Sequence, residues 1–122
     1  MNDVLTTIYG HVGAIHPNTY IEEVPQDETV YPQAILTIDV AQSRELHDEL
    51  LLVVDVYDNL AEDTTRLDDT ATAINKALHK QTINEASSMV RIHRQPSSYM
   101  IPEPDAQLRR RQMRYRLKLY TV

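Results

Sequence analysis

The chain has 122 residues, a formal net charge of −6 and no cysteine. This length fits a single domain, residues 1–122, that buries about two-thirds of its unfolded surface, and the absence of cysteine excludes disulfide bonds and thiolate metal sites. No apolar run reaches the about twenty residues of a membrane span, and the N-terminus lacks the features of a secretory signal, so we expect a protein made and used in a cytoplasm without contacting a membrane.

The first half of the chain predicts one helix followed by three strands. Five apolar residues recur at helical spacing, namely Val4, Leu5, Ile8, Val12 and Ile15. The helix should end at His16-Pro17-Asn18, and residues 19–24 are extended in character. Residues 34–40 alternate between apolar and other side chains, which predicts a strand. Residues 49–57 are the most apolar run and are rich in β-branched residues, so we place them as a central strand.

The second half predicts a helix and two further strands. The helix has a narrow apolar stripe and a choice of capping residues at its start; the stripe is Leu67, Ala71, Ile74 and Leu78, and the caps are Asp63, Thr64 or Thr65. Residues 89–94 and 113–119 alternate as strands. Residues 25–28 and 95–105 are polar or proline-rich, which predicts loops. This order indicates an α+β fold, with two helices on one face of a largely antiparallel mixed sheet of about four to five strands.

The charges are segregated along the chain. No lysine or arginine precedes Arg44, residues 45–69 are acidic, and six of the 12 basic residues lie in residues 109–118. The last predicted strand has an apolar face, which includes Tyr115 and should complete the core, and a cationic face that should meet an acidic surface. That surface would belong to the same subunit, a neighbouring copy or a nucleic acid. The candidate subunit-interface residues are Arg109, Arg110, Arg111, Arg114, Arg116, Lys118, Asp55, Asp58, Asp63, Asp68 and Asp69.

Motifs typical of enzymes are missing from the sequence. Gly10 and Gly13 are its only glycines, so a glycine-rich phosphate loop is excluded. The five histidines do not have the spacing of metal ligands. We therefore predict a protein that is not an enzyme, with no catalytic residue, no cofactor and no metal ligand.

Two alternatives follow from the charged residues. Arg114 and Arg116 would bind phosphates if the cationic strand belonged to a nucleic-acid-binding module. Carboxylates at strand ends would bind magnesium in a small nuclease if the fold brought them together, and the candidates are Asp39, Asp55 and Asp58.

Several short segments also carry a resemblance to a known family. They are Tyr57-Asp58-Asn59, Asp63-Thr64-Thr65-Arg66, Ala73-Ile74-Asn75-Lys76-Ala77-Leu78-His79, Ile101-Pro102-Glu103-Pro104-Asp105 and Arg109-Arg110-Arg111-Gln112-Met113-Arg114-Tyr115. In length, order and motifs the chain resembles the tail-completion, or tail-terminator, proteins of long-tailed bacteriophages and prophages of Gram-positive bacteria. None of these segments is a catalytic signature.

The resemblance implies an α+β subunit that forms a ring, usually a hexamer, at the head-proximal end of the tail tube. Such a ring stops tube growth, contacts the major tail tube protein and the head connector or stopper protein, and lets DNA pass through its lumen without reading the sequence. The protein would lie in the virion tail or neck and would be assembled in the cytoplasm of the bacterial host. A ring requires heterologous contacts, which an acidic and a basic patch would supply. Another phage neck or head-completion protein is the alternative within this class.

Overall fold

The computed structural model describes residues 2–15, 19–21, 31–43, 48–60, 62–84, 88–101 and 107–121. The side chains of residues 2–5, 39–43, 88, 95–99 and 121 are not part of this description. Within these ranges the chain forms two helices and six strands: α1 (Asn2–Ile15), β1 (Thr19–Ile21), β2 (Gln33–Ser43), β3 (Asp48–Asp58), α2 (Thr65–Leu78), β4 (Thr82–Asn84), β5 (Ser88–Ile101) and β6 (Arg109–Thr121).

The strands form one mixed sheet in the order β1-β2-β3-β6-β5-β4. β1 pairs with β2 in parallel, and every other neighbouring pair is antiparallel. The predicted α+β class is confirmed, with more strands than the about four to five that the sequence indicated. The additional strand is β4, in which only Ile83 is buried, so its three residues provide no alternation from which a strand could be recognised.

The helices and the apolar core lie on one face of the sheet. On β3 the buried residues on this face are Leu50, Leu52, Val54 and Val56, which confirms the two-faced central strand. Opposite them on β6 lie Leu117, Tyr115 and Met113, all buried. The stripe on α2 is buried against this face as predicted. On α1, Ile8 and Val12 are buried, whereas Ile15 at the helix end is 49% exposed.

The start of α2 uses one of the three predicted capping residues. Asp63 Oδ1 accepts a hydrogen bond from the backbone N–H of Thr65 at 3.1 Å, which satisfies one of the free donors of the first turn. Thr64 precedes the helix without a capping bond from its own side chain. The bond to Thr65 lowers the pKa of Asp63 below its usual range.

The predicted loop over residues 95–105 is wrong for residues 95–101, which belong to β5. Pro96 is tolerated because the register with β6 is interrupted between Arg94 and Ser98, so the proline stands where the ladder is broken. β4 pairs only with residues 89–91 of β5, so this part of the strand lies beyond the end of its short neighbour. Residues 102–106 and the other predicted loop, residues 25–28, lie outside the described residues.

Candidate functional site

The basic strand β6 divides its arginines between the two faces of the sheet. Because side chains alternate along a strand, Arg109 and Arg111 lie on the helix side, with Met113 and Tyr115. Arg110, Arg114, Arg116 and Lys118 lie on the opposite face, which we call the distal face. The predicted cationic face therefore exists, but two members of the arginine cluster do not belong to it.

Three aspartates of the acidic segment are paired with arginines of the same chain. Arg110 Nε lies 3.0 Å from Asp55 Oδ1, and Arg111 Nη2 lies 2.7 Å from Asp68 Oδ1. Asp58 is 1% exposed and forms an ion pair with Arg66, which also raises the pKa of Arg66. The sequence left three partners open for the arginines, and for Arg110 and Arg111 the partner is an aspartate of the same subunit.

Asp55 is the centre of a hydrogen-bond network on the distal face. Its Oδ1 accepts from Arg110 Nε and from Gln112 Nε2, both at 3.0 Å. Gln112 Oε1 in turn accepts from Arg114 Nε at 3.1 Å. The guanidinium of Arg110 lies 5.6 Å from the ring centroid of Tyr57, within the range of a cation–π contact. This network orients two of the candidate arginines from within the chain.

The remaining candidates lie at the surface or at strand and helix ends. Asp63 caps α2, and Asp69 on the same helix is exposed. Arg109 Nη1 donates to the backbone carbonyl of Leu108 at 2.9 Å. Arg116 is exposed on the distal face. The role of these residues in subunit contacts stays a prediction.

Basic side chains of β5 and β6 form a continuous surface on the distal face. We call it the distal basic strip and define it as Arg91, His93, Arg114, Arg116 and Lys118. Arg91 is directly opposite Lys118, and His93 is directly opposite Arg116. On its other side Lys118 is opposite Glu49 of β3. Like charges in directly opposite positions destabilise a sheet, and Glu49 offsets only one of the four arginine and lysine charges of the strip, so an excess of positive charge remains.

The electrostatics of His93 agree with this description. Its pKa is lowered, first by partial burial and then by the positive charges of Arg91 and Lys118. A histidine surrounded by cations keeps its neutral form, so the strip derives its positive charge from lysine and arginine near neutral pH.

The structure does not bring together the two carboxylates of the proposed magnesium site whose side chains it describes. Asp55 and Asp58 lie on opposite faces of β3, because their positions differ by an odd number, and each has an arginine partner. The side chain of Asp39 is outside the described residues. Among the residues whose side chains are described, no group of three or more histidines or carboxylates is arranged to hold a metal ion.

A cavity of about 310 Å³ lies between α2, β5 and β6 on the helix side of the sheet. We call it the α2 cavity, and its polar lining consists of Asp68, Thr72, Asn75, Arg94 and Arg111. Of these, sequence reasoning selected only Asp68 and Arg111. Arg94 ends a predicted strand to which no function was assigned. Its alternation with Val90 and Ile92 puts it on the apolar face, and this is the signal that distinguishes it from Arg91.

Two hydrogen bonds hold the walls of the α2 cavity in place. The Tyr115 hydroxyl donates to Asn75 Oδ1 at 2.8 Å, linking β6 to α2. The backbone N–H of Arg94 donates to Nδ1 of His79 at 3.1 Å, linking β5 to the end of α2. Burial raises the pKa of Tyr115, while the positive charge of Arg94 acts in the opposite direction with a smaller effect. The tyrosine is therefore a neutral hydrogen-bond donor.

The fold is similar to that of a chain in the solved structure described as "Virion of native gene transfer agent (GTA) particle". The TM-score is 0.71 at 16% sequence identity, and the match covers 93% of this chain and 91% of that chain. A second solved chain, whose name states no function, matches with a TM-score of 0.67 and 12% identity over 100% of this chain and 97% of its own length. No family model and no curated protein matches the sequence.

At these identities the likeness shows the fold alone. Its nearly complete coverage on both sides means that the α+β arrangement is shared as a whole. In the part of the chain that the structure describes, no helix is both long enough and apolar enough to cross a membrane.

Proposed function

We propose that this chain is a non-enzymatic structural protein of a phage-like virion, and that it acts as a tail-completion or terminator protein. The observation that carries the proposal is the similarity to a chain of a gene transfer agent virion, at a TM-score of 0.71 over more than nine-tenths of both chains. The sequence resemblance to tail-terminator proteins of phages and prophages of Gram-positive bacteria supports the finer assignment. The first line of support rests on backbone geometry and the second on short sequence segments.

In this proposal the chain forms a ring, in most cases a hexamer, at the head-proximal end of the tail tube. The ring stops growth of the tube and joins the tail to the head. Its partners are further copies of itself, the major tail tube protein, the head connector or stopper protein, and DNA that passes through the lumen. The protein is assembled in the cytoplasm of the bacterial host and remains in the tail or neck of the virion.

The distribution of exposed charge supports a heterologous contact between copies. Arg116 is exposed on the distal face, whereas Asp63 and Asp69 are exposed at α2, on the other side of the sheet. A closed ring requires two different patches that meet on neighbouring copies, and opposite charges on these patches would make that contact specific. The aspartates with intrachain arginine partners are less suited to this role than the exposed ones.

Deletion of the gene in a system that produces particles tests the assignment. We expect overlong tails that are not attached to heads, as seen in electron micrographs, and restoration of normal tails when the chain is supplied from a plasmid. Tails of normal length that remain unattached would favour another neck or head-completion protein. Normal infectious particles would exclude both roles.

A second candidate function is nucleic-acid binding through the distal basic strip. The specific observation that favours it is the direct opposition of Arg91 and Lys118, an arrangement that an anionic partner would stabilise. In a ring this contact would be with DNA in transit. As a separate function it would be sequence-independent binding, because phosphate contacts do not distinguish bases.

A further inference from the structure

The α2 cavity lies beside an interruption of the ladder between β5 and β6. Arg94 is opposite Tyr115, but the next paired residue of β5 is Ser98, opposite Met113. An advance of four residues along β5 therefore corresponds to an advance of two along β6, so the two strands are not regularly paired here. Irregularities of this kind re-aim side chains and are frequent beside functional sites. Arg94, the last residue before the interruption, and Met113, the first after it on β6, both line the cavity.

Arg94 differs from Arg111, the other arginine of this cavity, because the guanidinium of Arg111 is engaged by Asp68 through Nη2. The Nε atom of Arg94 is buried and has no hydrogen-bond partner among the residues whose side chains are described. A buried donor on a charged group is costly to leave unsatisfied. An anion placed in the cavity would satisfy it, and the planar guanidinium fork favours an oxyanion bound through two parallel hydrogen bonds.

The charges around the cavity leave an excess of one positive charge. Asp68 is engaged by Arg111, with Nη2 and Oδ1 2.7 Å apart, and by the Thr64 hydroxyl, which donates to Oδ2 at 3.3 Å. This carboxylate is therefore committed to partners other than Arg94. Because Asp68 already offsets Arg111, a singly charged carboxylate would balance the remaining positive charge, whereas a doubly charged phosphate would leave an excess of negative charge.

Other groups of the lining fit a carboxylate. Asn75 uses its Oδ1 to accept from Tyr115, which leaves its amide N–H groups as donors for a ligand. The hydroxyl of Thr72, an exposed residue, adds a donor where the cavity opens. The volume of about 310 Å³ is at the lower end of the ~300–1,000 Å³ of small-molecule pockets, which suits a single side chain.

We propose that the α2 cavity is a receptor for a carboxylate side chain presented by an acidic peptide segment of a protein partner. Arg94 is its principal ligand, with Asn75 and Thr72 as supporting donors. The site lies on the helix side of the sheet, away from the distal basic strip, so it is separate from any DNA contact. It would supply a specific attachment point, in addition to the exposed charges, for a neighbour in an assembly.

The test is an NMR titration of the isolated full-length chain with a blocked peptide of four glutamates. We expect chemical-shift changes at the amides of Thr72, Asn75 and Arg94, and no such changes with a blocked peptide of four glutamines. The Arg94→Gln variant should bind the glutamate peptide about tenfold more weakly or worse, as expected for loss of a charge-assisted hydrogen bond. The matched control is Arg91→Gln, on the same strand but on the distal face, which should keep the affinity of the wild type within about twofold.

A second variant keeps the test valid if Arg94→Gln does not fold. Thr72→Val removes a hydroxyl from an exposed position of α2, and we expect a smaller but measurable loss of affinity. Absence of binding at millimolar peptide, or an equal loss in Arg91→Gln, would overturn the proposal. Inorganic phosphate binding at Arg94 as tightly as the peptide would overturn the assignment of a carboxylate. Because the titration requires neither tails nor ring formation, its failure would leave the proposed function untouched.

Discussion

Asp55 on β3 and Arg110 on β6 form an ion pair across the two central strands, with Nε and Oδ1 3.0 Å apart. The partners are 55 residues apart in sequence, one in the acidic and one in the basic segment. The segregation of charge along the chain therefore has a cause within the subunit, namely the antiparallel pairing of β3 with β6. In the proposed ring, contacts between subunits would therefore rely mainly on the charges that remain exposed.

Replacing Asp55 by Ala should destabilise the fold by about 1–3 kcal/mol, because Arg110 and Gln112 lose a charged acceptor. Gln112 is only 8% exposed, so water cannot fully replace the bond from its Nε2. Urea denaturation of the wild type and the variant measures the difference. The control is Asp69→Ala, on the exposed face of α2, for which we expect a change within about 0.5 kcal/mol. Equal midpoints for Asp55→Ala and the wild type would show that the network contributes nothing to stability.

Replacing Tyr115 by Phe should cost about 0.5–1.5 kcal/mol, the usual contribution of one intramolecular hydrogen bond. The ring remains in the core, while Asn75 loses the 2.8 Å bond from the hydroxyl. Thermal and urea unfolding measure the loss. Tyr9→Phe, at a position of α1 that is 39% exposed, is the matched control and should be neutral. If Tyr115→Phe is as stable as the wild type, a water molecule must satisfy Asn75 equally well.

The elements with a sustained pattern were predictable from sequence. The α2 stripe from Leu67 to Leu78 and the two faces of β3 follow directly from periodicities of 3.6 and two residues. Tyr115 could be placed in the core because it alternates with Met113 and Leu117. The strand β4 could not be predicted because three residues offer no period. Residues 95–101 were predicted as a loop because a proline is typical of loops, and the interruption of the ladder that accommodates Pro96 is not visible in the sequence.

The candidate site was less predictable than the fold. The pairs Asp55–Arg110 and Asp68–Arg111 depend on which strands and helices become neighbours, which is set by the whole topology. Arg94 is on the helix side because it alternates with the buried Val90 and Ile92, but the cavity beside it depends on how α2 packs against β5 and β6. Local sequence therefore selected charged residues without indicating their partners.

Lowering the pH should remove stability through His93. Because its pKa in the folded chain is lowered, the unfolded chain takes up the proton first as the pH falls through about 6.5. The contribution of neutral His93 is fully present above that pH and is lost below it. Urea unfolding at pH 7.5 and 5.5 should show a larger loss for the wild type than for His93→Gln. The control variant is His11→Gln, at an exposed position of α1, which tests for a general effect of replacing a histidine. An equal loss of unfolding free energy in the wild type and in His93→Gln would contradict the prediction.

Binding of DNA to the distal basic strip should depend steeply on salt. Each phosphate contact contributes about −0.9 to the slope of log K against log salt concentration, so the double variant Arg114→Ala/Arg116→Ala should reduce the slope by about 2. Fluorescence anisotropy with a labelled duplex at several salt concentrations provides the slope. Lys76→Ala, at an exposed basic position on α2, should leave it unchanged. A slope that Lys76→Ala reduces as much as the double variant would indicate diffuse attraction without a defined surface.

Bound DNA should also raise the pKa of His93, because its phosphates would offset the positive charges of Arg91 and Lys118 that lower this pKa. NMR titration of the imidazole with and without duplex DNA measures the change. This result separates contact at the strip from contact elsewhere, because phosphates bound away from the distal face would not offset these charges. An unchanged pKa of His93 in the complex would place the DNA away from the distal face.

Reversing one exposed charge should weaken assembly of the ring, and reversing its partner as well should restore it. Arg116→Glu on the distal face and Asp69→Arg on α2 each put like charges together if these patches meet in neighbouring copies. A single exposed pair contributes only about 0.2–1 kcal/mol, but the contact is repeated once per subunit around a closed ring. Sedimentation velocity, with and without tail-tube subunits, should therefore show less ring for each single variant than for the wild type.

The double variant Arg116→Glu/Asp69→Arg decides whether the two residues face each other. A direct contact predicts that it assembles better than either single variant, giving a coupling energy of about 0.5 kcal/mol or more per contact in the double-mutant cycle. Arg116→Glu combined with Lys76→Glu adds a second reversal at an unrelated exposed position of α2 and should not recover assembly. If the effects of Arg116→Glu and Asp69→Arg simply add, the two patches lie on different contacts, and the ring is held together by other surfaces of the subunit.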